Sequence, residues 1–458
     1  MKVIICGAGQ VGYNIARYLA NEGNDITVID QRPDLIRNLA STLDVKAVEG
    51  HASHPHTLEK AGAAEADMII AVTAVDEVNM VACHVAHTLF NVPKKIARIR
   101  SQVYLDSRWG RFFSREEMPI DVIISPEIEV ARALTRRLKV PGALDIIPLC
   151  DNRVQLVGVR CHADTPVINT PLRQLTALFP DLNMAVVGVV RDGQPIVPDA
   201  DTQLLIGDEV YVVVASDQLQ RGMKALGQTM GQTRRVLILG GGNVGVFVAR
   251  QIEIDYPEIT VHLIENDKAK AEAAARTLNR TVVLHGSALD PDILEEAGAA
   301  VTETVLAVTN DEEINILASV LAKKQGCQRA VILLNSNTYN PLTGSLGIDV
   351  VVNPRTITVS HVLQHVRQGR IHSVHALKED FGELIEADAL ETCGLVGRPL
   401  REVKVPPGVL LGAIVRGDKV RIPRGGTVIQ TGDRVVLFAA ADAVKKVEKM
   451  FAVRLEYF

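Results

Sequence analysis

A chain of 458 residues is too long to fold around a single hydrophobic core. Because domains contain roughly 100 to 200 residues, three or four domains are expected. Hydrophobic residues make up 47%, charged residues 22%, and the formal net charge is -5, so the composition predicts no nucleic-acid partner. No apolar run approaches the ~20 residues of a membrane-spanning helix, and no signal-peptide pattern follows Met1. These features predict a cytoplasmic protein, and six singly scattered cysteines predict neither disulfides nor a metal site.

Residues 1–140 are predicted to alternate strands and helices. An apolar strand starts at Val3 and runs into a glycine-rich turn, and a helix follows from Gln10. Later strands are predicted at Ile26, near Val48, at Met68 to Val72 and at Ile96 to Ile99, with helices from Pro33, from Pro55 and near Asp76. Alternation of this kind indicates a parallel sheet with right-handed crossovers, as in a Rossmann fold.

The same pattern returns in residues 235–368. The strand and glycine turn of Val3 to Gly12 recur at Val236 to Gly245, and Ile26 to Asp30 recurs at Val261 to Glu265. Repetition over this length indicates duplicated domains. The sequence therefore predicts an α/β chain with two Rossmann-like, doubly wound parallel-sheet domains.

A last strand and a helix start close each predicted Rossmann domain, at Ser125-Pro126 and at Asn353-Pro354. Ser and Asn are favoured helix caps, and Pro is favoured at the first helical position. In the first copy, an apolar stripe then recurs at helical spacing, formed by Ile128, Ala131, Leu134 and Leu138. The stripe predicts either core packing within the domain or a contact between copies.

Short β-branched runs and glycine turns follow each Rossmann domain and predict a small α+β domain. These tails also repeat, since Thr170-Pro171-Leu172 matches Arg398-Pro399-Leu400, and Gly207-Asp208 matches Gly432-Asp433. We name the predicted domains N-lobe 1 (residues 1–140), C-lobe 1 (141–226), N-lobe 2 (235–368) and C-lobe 2 (369–458). A polar, glycine-containing linker is predicted at residues 227–234.

Both glycine turns follow the dinucleotide-binding pattern GxGxxG between a strand and a helix. Gly7 permits the tight turn, Gly9 lets the backbone approach a pyrophosphate, and Gly12 lets helix and strand pack closely. Asp30 and Glu265 end the next strands, where a carboxylate binds ribose hydroxyls and repels a 2'-phosphate, so NAD(H) is favoured over NADP(H). The predicted cofactor-binding turn residues are Gly7, Ala8, Gly9, Gln10, Val11 and Gly12, and Gly240, Gly241, Gly242, Asn243, Val244 and Gly245.

Further ligand contacts are predicted where the later strands end, at the carboxyl edge of each sheet. Thr73-Ala74 and Thr309 follow the fourth strand of the two copies. Arg98 and Arg100 follow the next strand of the first copy and offer cations for phosphate, whereas the second copy has Leu333 to Asn335. The two nucleotide sites are therefore predicted to differ, with ATP depending more on the first.

The turn after the third strand of the first copy holds His51 and Ala52, which line either an adenosine pocket or an ordinary turn. Neither His51 nor the nearby His54 and His56 has a thiol or carboxylate at metal-ligand spacing. No nucleophile or phosphate-loop motif is present, and the small tails offer no titratable cluster for hydride transfer, so no catalytic residue is predicted. An NAD-dependent oxidoreductase and a nucleotide sensor for another partner are the alternatives.

The chain resembles, over its full length, the bacterial regulator-of-potassium-conductance domain family. The resemblance is carried by Gly7 to Gly12, Asp30, Thr73, Arg98 and their second-half counterparts. It implies a non-catalytic subunit, peripheral on the cytoplasmic face of the inner membrane, that binds NAD(H) and ATP or ADP and gates a membrane Trk potassium-transporting subunit. It also implies a homo-oligomeric ring, a tetramer with eight N-lobes. His51 departs from the family's pattern, which commonly places Asp after this glycine.

Overall fold

The computed structural model describes residues 1–114, 116–179, 181–228, 231, 233–336, 338–366, 371–378 and 381–451. They form two compact units, of which the first contains Met1–Glu129 and Arg355–Val366 and the second contains the rest. Residues 229, 230 and 232 of the predicted linker and the predicted border at 368/369 lie outside the described residues. Among the described helices, none is long and apolar enough to span a bilayer.

A parallel sheet forms the centre of N-lobe 1. Its strands are β1 (Lys2–Cys6), β2 (Asp25–Asp30), β3 (Lys46–Glu49), β4 (Met68–Ala71), β5 (Lys94–Arg98) and β6 (Val122–Ile124). Its helices are α1 (Gln10–Asn21), α2 (Pro33–Thr42), α3 (Pro55–Ala61), α4 (Asp76–Phe90), α5 (Gln102–Leu105) and α6 (Pro126–Leu138). The strand order is β3-β2-β1-β4-β5-β6, so the chain changes direction across the sheet between β1 and β4. In open α/β sheets that switch point marks the ligand crevice.

The second unit contains three sheets. C-lobe 1 has β7 (Ala143–Leu149), β8 (Val154–Arg160), α7 (Leu172–Leu178), β9 (Met184–Arg191), β10 (Gln194–Ile196), β11 (Glu209–Ala215) and α8 (Leu219–Ala225). N-lobe 2 has β12 (Arg235–Leu239), α9 (Asn243–Asp255), β13 (Thr260–Glu265), α10 (Lys268–Thr277), β14 (Val282–His285), α11 (Pro291–Glu296), β15 (Thr304–Ala307), α12 (Glu312–Gln325), β16 (Arg329–Leu333), α13 (Asn340–Thr343), β17 (Val350–Val352) and α14 (Pro354–Val366). C-lobe 2 has β18 (Ile371–Lys378), β19 (Gly382–Asp388), β20 (Val409–Arg416), β21 (Lys419–Arg421), β22 (Arg434–Ala440) and α15 (Val444–Phe451).

The strand orders confirm the predicted fold class. N-lobe 2 repeats N-lobe 1 with the parallel order β14-β13-β12-β15-β16-β17. The C-lobes contain antiparallel sheets of order β10-β9-β11-β8-β7 and β18-β19-β22-β20-β21. Two Rossmann-like lobes are thus each followed by a small α+β lobe.

The last helix of each Rossmann lobe is exchanged with the other half of the chain. From Arg355 on, α14 belongs to the first unit, where Val359, Val362 and Leu363 join the buried cluster around Val3 and Ile5. From Val130 on, α6 belongs to the second unit. Three residues of the apolar stripe on α6, Ala131, Leu134 and Leu138, therefore lie in the second unit, whereas Ile128 lies in the first.

A cation at the start of the fifth strand holds the exchanged helix in both lobes. Nζ of Lys94, on β5, donates to the carbonyl oxygen of His365 near the end of α14. Nη1 of the buried Arg329, on β16, donates to the carbonyl oxygen of Arg137 near the end of α6 at 3.2 Å, and its Nη2 donates to Ala143. A cation at a helix C-terminus satisfies end carbonyls and complements the helix dipole.

Candidate functional site

The glycine turn of N-lobe 1 is closed on one side and open on the other. Gly7 has a φ of +109° and an added Cβ would lie 3.1 Å from the Thr73 backbone, so both conformation and space require glycine. A Cβ on Gly12 would lie 1.8 Å from the Gly7 carbonyl oxygen. Gly9 differs, because its φ is -65° and an added Cβ would meet no atom within 4 Å. The protein itself does not need glycine at position 9.

N-lobe 2 repeats this geometry. Gly240 has a φ of +110° and approaches Thr309, and a Cβ on Gly245 would lie 1.9 Å from the Gly240 carbonyl oxygen. Gly242, like Gly9, has an ordinary φ of -69° and open space where a Cβ would stand. Both lobes therefore leave the approach to one helix N-terminus clear.

Those two helix N-termini lack the side-chain caps found elsewhere in N-lobe 2. Gly9 caps α1 and Gly242 caps α9, neither with a side-chain hydrogen bond, and neither helix has an acidic residue in its first turn. In N-lobe 2, Asp267, Asp290 and Asp311 accept hydrogen bonds from the first turns of α10, α11 and α12, whereas α2, α3 and α4 of N-lobe 1 have no side-chain cap either. Uncapped amide groups and the helix dipole together favour an anion at α1 and α9. Gln10, Val11, Asn243 and Val244 lie in these open first turns.

The acidic residue that ends the second strand supports the glycine turn. Oδ2 of Asp30 accepts from the Ala8 amide at 2.7 Å, and Oδ1 accepts from the Arg32 amide at 2.9 Å. Oε2 of Glu265 accepts from the Gly241 amide at 2.6 Å, and Oε1 accepts from the Asp267 amide at 2.8 Å. An added Cβ on Gly241 would lie 2.9 Å from the Cβ of Glu265, so the backbone beside Glu265 requires glycine, whereas the matching position beside Asp30 holds Ala8.

The loop after the fourth strand is fixed by the buried Asn79, for which the sequence predicts no role in the site. Oδ1 of Asn79 accepts from the amide and the hydroxyl of Thr73 at 2.8 and 2.7 Å, and Nδ2 donates to the Arg98 carbonyl oxygen. Asn315 makes the same contacts with Thr309 and Leu333. The asparagine recurs six residues after each threonine, a repeat visible in the sequence, but its contacts are visible only in the fold. Ala74 is exposed beside Thr73.

The two arginines predicted to bind phosphate are engaged within N-lobe 1. Nη2 of Arg98 donates to the Thr73 carbonyl oxygen at 2.8 Å, and its buried Nε has no partner among the described residues. Burial and the neighbouring Arg100 lower the pKa of the Arg98 guanidinium. Nε of Arg100 pairs with Oε1 of the buried Glu127 at 2.8 Å. Arg98 therefore joins the ends of β4 and β5.

His51 lies at the same sheet edge in a row of three imidazole rings, of which those of His51 and His54 are stacked. Its ring centroid is 4.8 Å from that of His54, and His54 is 5.7 Å from His56. Nδ1 of His51 is 2.8 Å from the Ser53 hydroxyl, and Ala52 is buried. The Gly50 amide donates to the Asp30 carbonyl oxygen, so this turn adjoins the predicted ribose site. Among the residues that the structure describes, no group of three or more His, Cys, Asp or Glu side chains is placed to hold a metal ion.

Taken together, the glycine turn, Asp30, Thr73 and Arg98 follow parallel strands and meet at the carboxyl edge of one sheet. The fold and these two sites define the chain as a tandem protein of Rossmann lobes with dinucleotide-type turns. Its sequence matches the TrkA-N domain over residues 3–126 and 236–354 and the TrkA-C domain over residues 156–227 and 384–452. The chain belongs to the Trk system potassium uptake protein TrkA family.

Similar proteins share the whole length of the chain. The Trk system potassium uptake protein TrkA of Azorhizobium caulinodans is 50% identical over 458 residues, covering 100% of both chains. That of Halomonas elongata is 40% identical over 462 residues, also covering 100% of both. Among solved structures, the GsuK RCK domain matches with a TM-score of 0.61 at 19% identity, covering 99% of this chain and 95% of that one. The GsuK channel bound to NAD matches with a TM-score of 0.60 at 18% identity, and the match covers 99% of this chain and 79% of the GsuK chain. These structures share the fold.

Proposed function

We propose that the chain is a non-catalytic, nucleotide-binding regulatory subunit that gates a membrane Trk potassium-transporting subunit. In this proposal it lies peripherally on the cytoplasmic face of the inner membrane. NAD(H) is the dinucleotide, and ATP and ADP are further regulatory ligands. The observation that carries the proposal is the open position at Gly9 and Gly242, which the fold does not require to be glycine. Membership of the TrkA family supports potassium uptake as the controlled process.

The residues at each site fit a dinucleotide. The pyrophosphate would take the uncapped N-termini of α1 and α9, where an added Cβ would obstruct it. Asp30 and Glu265, already oriented by amide donors, would accept from ribose hydroxyls and disfavour a 2'-phosphate. Thr73 and Thr309 would border the ligand at the switch point. The GsuK channel, which shares the fold, binds NAD.

The two sites are proposed to differ in their preference for ATP. N-lobe 1 has Arg98 at the end of β5 and Arg100 two residues beyond it, whereas the matching positions of N-lobe 2 are Leu333 and Asn335. Even with Nη2 of Arg98 bonded to Thr73, the guanidinium places positive charge beside the crevice. ATP affinity should therefore depend more on Arg98 than on Glu265, and the opposite dependence in Arg98→Ala and Glu265→Ala variants would reverse the assignment.

A homo-oligomeric ring, a tetramer with eight N-lobes, would convert nucleotide binding into gating. Val81 on α4 and Leu317 on α12 occupy matching positions and are 43% and 54% exposed, which suits helix faces covered by neighbouring copies. A ligand shifts a two-state assembly only by its difference in affinity for the two states. A difference of ~1.4 kcal/mol changes the ratio of open to closed states about tenfold.

The test is a double variant, Gly9→Asp with Gly242→Asp, in potassium flux through the reconstituted Trk subunit. Aspartate is a favoured helix cap and its Cβ meets no atom, so the fold is expected to persist. Its charge should repel phosphate and abolish the response of flux to ATP, ADP and NADH. The matched Gly9→Asn/Gly242→Asn variant adds similar bulk without charge and separates the two effects. A wild-type response in the aspartate variant, or no association of the chain with a potassium-transporting subunit, would refute the proposal.

A further inference from the structure

The two C-lobes share a fold but carry opposite charge on matching segments. Residues 398–424 of C-lobe 2 contain seven Lys or Arg and two acidic residues. The matching residues 170–199 of C-lobe 1 contain two Lys or Arg and three acidic residues. The segments correspond in detail, because an ion pair with a buried aspartate joins Arg191 to Asp208 at 2.8 Å and Arg416 to Asp433 at 2.7 Å. The two segments therefore share one backbone arrangement and differ in their charge.

Five exposed cations form what we call the basic surface of C-lobe 2: Arg398, Arg401, Lys419, Arg421 and Arg424. Lys419 and Arg421 lie two residues apart on β21 and thus on one face of that strand. The Arg401 amide donates to the Gly425 carbonyl oxygen at 2.9 Å, which joins the loop before β20 to the loop after β21. Within the described part of the chain, the ion pair made by this surface is that of Arg401 with Glu402 at 3.6 Å.

Neither the fold nor protection of the sheet edge accounts for this charge. Strand β21 is an edge strand, and edge strands often carry lysine to prevent pairing with other chains. The matching edge strand β10 is protected instead by Pro195, with Gln194 and Ile196 where C-lobe 2 has Lys419 and Arg421. Three of the five cations also lie outside β21. The surplus charge is therefore available to a partner.

We propose that the basic surface of C-lobe 2 binds the anionic headgroups of a phospholipid bilayer. An extended negative surface suits exposed cations that are spread over a strand and two loops, and clusters of about four to eight Lys or Arg are typical of such contacts. The matching acidic segment of C-lobe 1, in a second copy of the chain, is a less favourable partner for these cations. Its Asp201 already pairs with Arg173, and Oδ1 of Asp199 already accepts three local hydrogen bonds. The inference rests on the proposed location at the membrane and adds a direct lipid contact to it.

The test measures co-sedimentation of the full chain with vesicles that contain no transport subunit. Wild-type protein should bind mixed phosphatidylcholine and phosphatidylglycerol vesicles, not phosphatidylcholine alone, and should be released by high salt. The Lys419→Gln/Arg421→Gln/Arg424→Gln variant should bind about 10- to 100-fold more weakly. The matched control, Arg221→Gln/Lys224→Gln/Lys268→Gln, removes equal charge from exposed positions elsewhere and should bind as wild type does.

Two further results decide between a lipid surface and other partners. Arg421→Lys/Arg424→Lys should retain binding, because a diffuse surface responds to charge rather than to guanidinium geometry. Equal binding by the triple variant and its control, or no dependence on phosphatidylglycerol, would overturn the inference. So would a changed oligomer mass of the triple variant in light scattering, which would assign the surface to contacts between copies. The Gly9→Asp/Gly242→Asp variant should still bind vesicles, so failure of the nucleotide proposal remains distinguishable.

Discussion

Single alanine substitutions at Gly9 and Gly12 should separate ligand access from packing. The Cβ of Gly12→Ala would lie 1.8 Å from the Gly7 carbonyl oxygen and 3.0 Å from its carbon, so backbone must move. Gly7 cannot yield easily, because its own Cα faces the Thr73 backbone and its φ is +109°. Overpacking costs ~1 to 3 kcal/mol, and a backbone obstacle places this variant near ~3 kcal/mol. That loss corresponds to roughly 6 to 12 °C in Tm.

The Gly9→Ala variant should have the opposite effects. Its φ of -65° suits alanine, and the methyl group meets no protein atom, so stability should stay within ~1 kcal/mol of wild type. The same methyl group stands where a pyrophosphate would approach the N-terminus of α1. NADH affinity at the first site should fall by ~1 to 3 kcal/mol, which is about 5- to 150-fold.

Thermal melts and calorimetric NADH titrations of the full chain measure both effects. The full chain is required because α14, from the second half, completes the core of N-lobe 1. A Gly242→Asp background silences the second site, and Gly242→Ala with Gly245→Ala provides the matched pair in N-lobe 2. Unchanged NADH affinity in Gly9→Ala would show that the pyrophosphate does not bind at the N-terminus of α1. Unchanged stability in Gly12→Ala would refute the packing argument.

Three further predictions concern charged groups. Burial alone would raise the pKa of Glu253, but hydrogen bonds from residues 279–281 lower it, so its stabilisation is present above about pH 4.3 and lost as pH falls further. Glu253→Gln should cost ~1 to 3 kcal/mol at neutral pH, and the difference should vanish in acid melts. Arg329→Met leaves two carbonyl groups without their hydrogen-bond donor, so it should lower the free energy of unfolding in urea by ~2 to 4 kcal/mol. The loss should exceed that of Lys94→Met, because Lys94 is less buried than Arg329. Asp30→Ala should weaken NADH binding by ~1.5 to 3 kcal/mol in calorimetry, and unchanged affinity would exclude it from the site.

The Rossmann elements could be predicted because their signals are local. Helix α1 starts at Gln10 as predicted, since GxGxxG fixes both the end of a strand and the start of a helix. The exchanged helices could not be predicted in this way. An apolar stripe on α6 shows that one face is buried, but its spacing is the same whichever sheet covers that face. Duplication also makes the two cores alike, so the stripe fits either.

Within the site, backbone features were more predictable than side-chain directions. The positive φ of Gly7 and the close packing of Gly12 follow from the motif. The contact of Arg98 with the Thr73 carbonyl depends on how β4 and β5 lie side by side, which residue type does not specify. The role of Asn79 could not be predicted for the same reason, because it depends on which groups the buried amide bridges.

The duplicated halves also separate what the fold requires from what has diverged. Where the backbone geometry matters, a change in one residue is compensated by another, as in the pairs Ala8 with Asp30 and Gly241 with Glu265. The exchange of Arg98 for Leu333 has no such compensation in charge, because the Thr309 carbonyl keeps the bond from Asn315 but has no cation in place of Arg98. Compensated differences preserve a shared architecture, whereas an uncompensated charge changes the electrostatic potential of one copy only. Asymmetric nucleotide binding is therefore expected to originate at Arg98 rather than in the glycine turns.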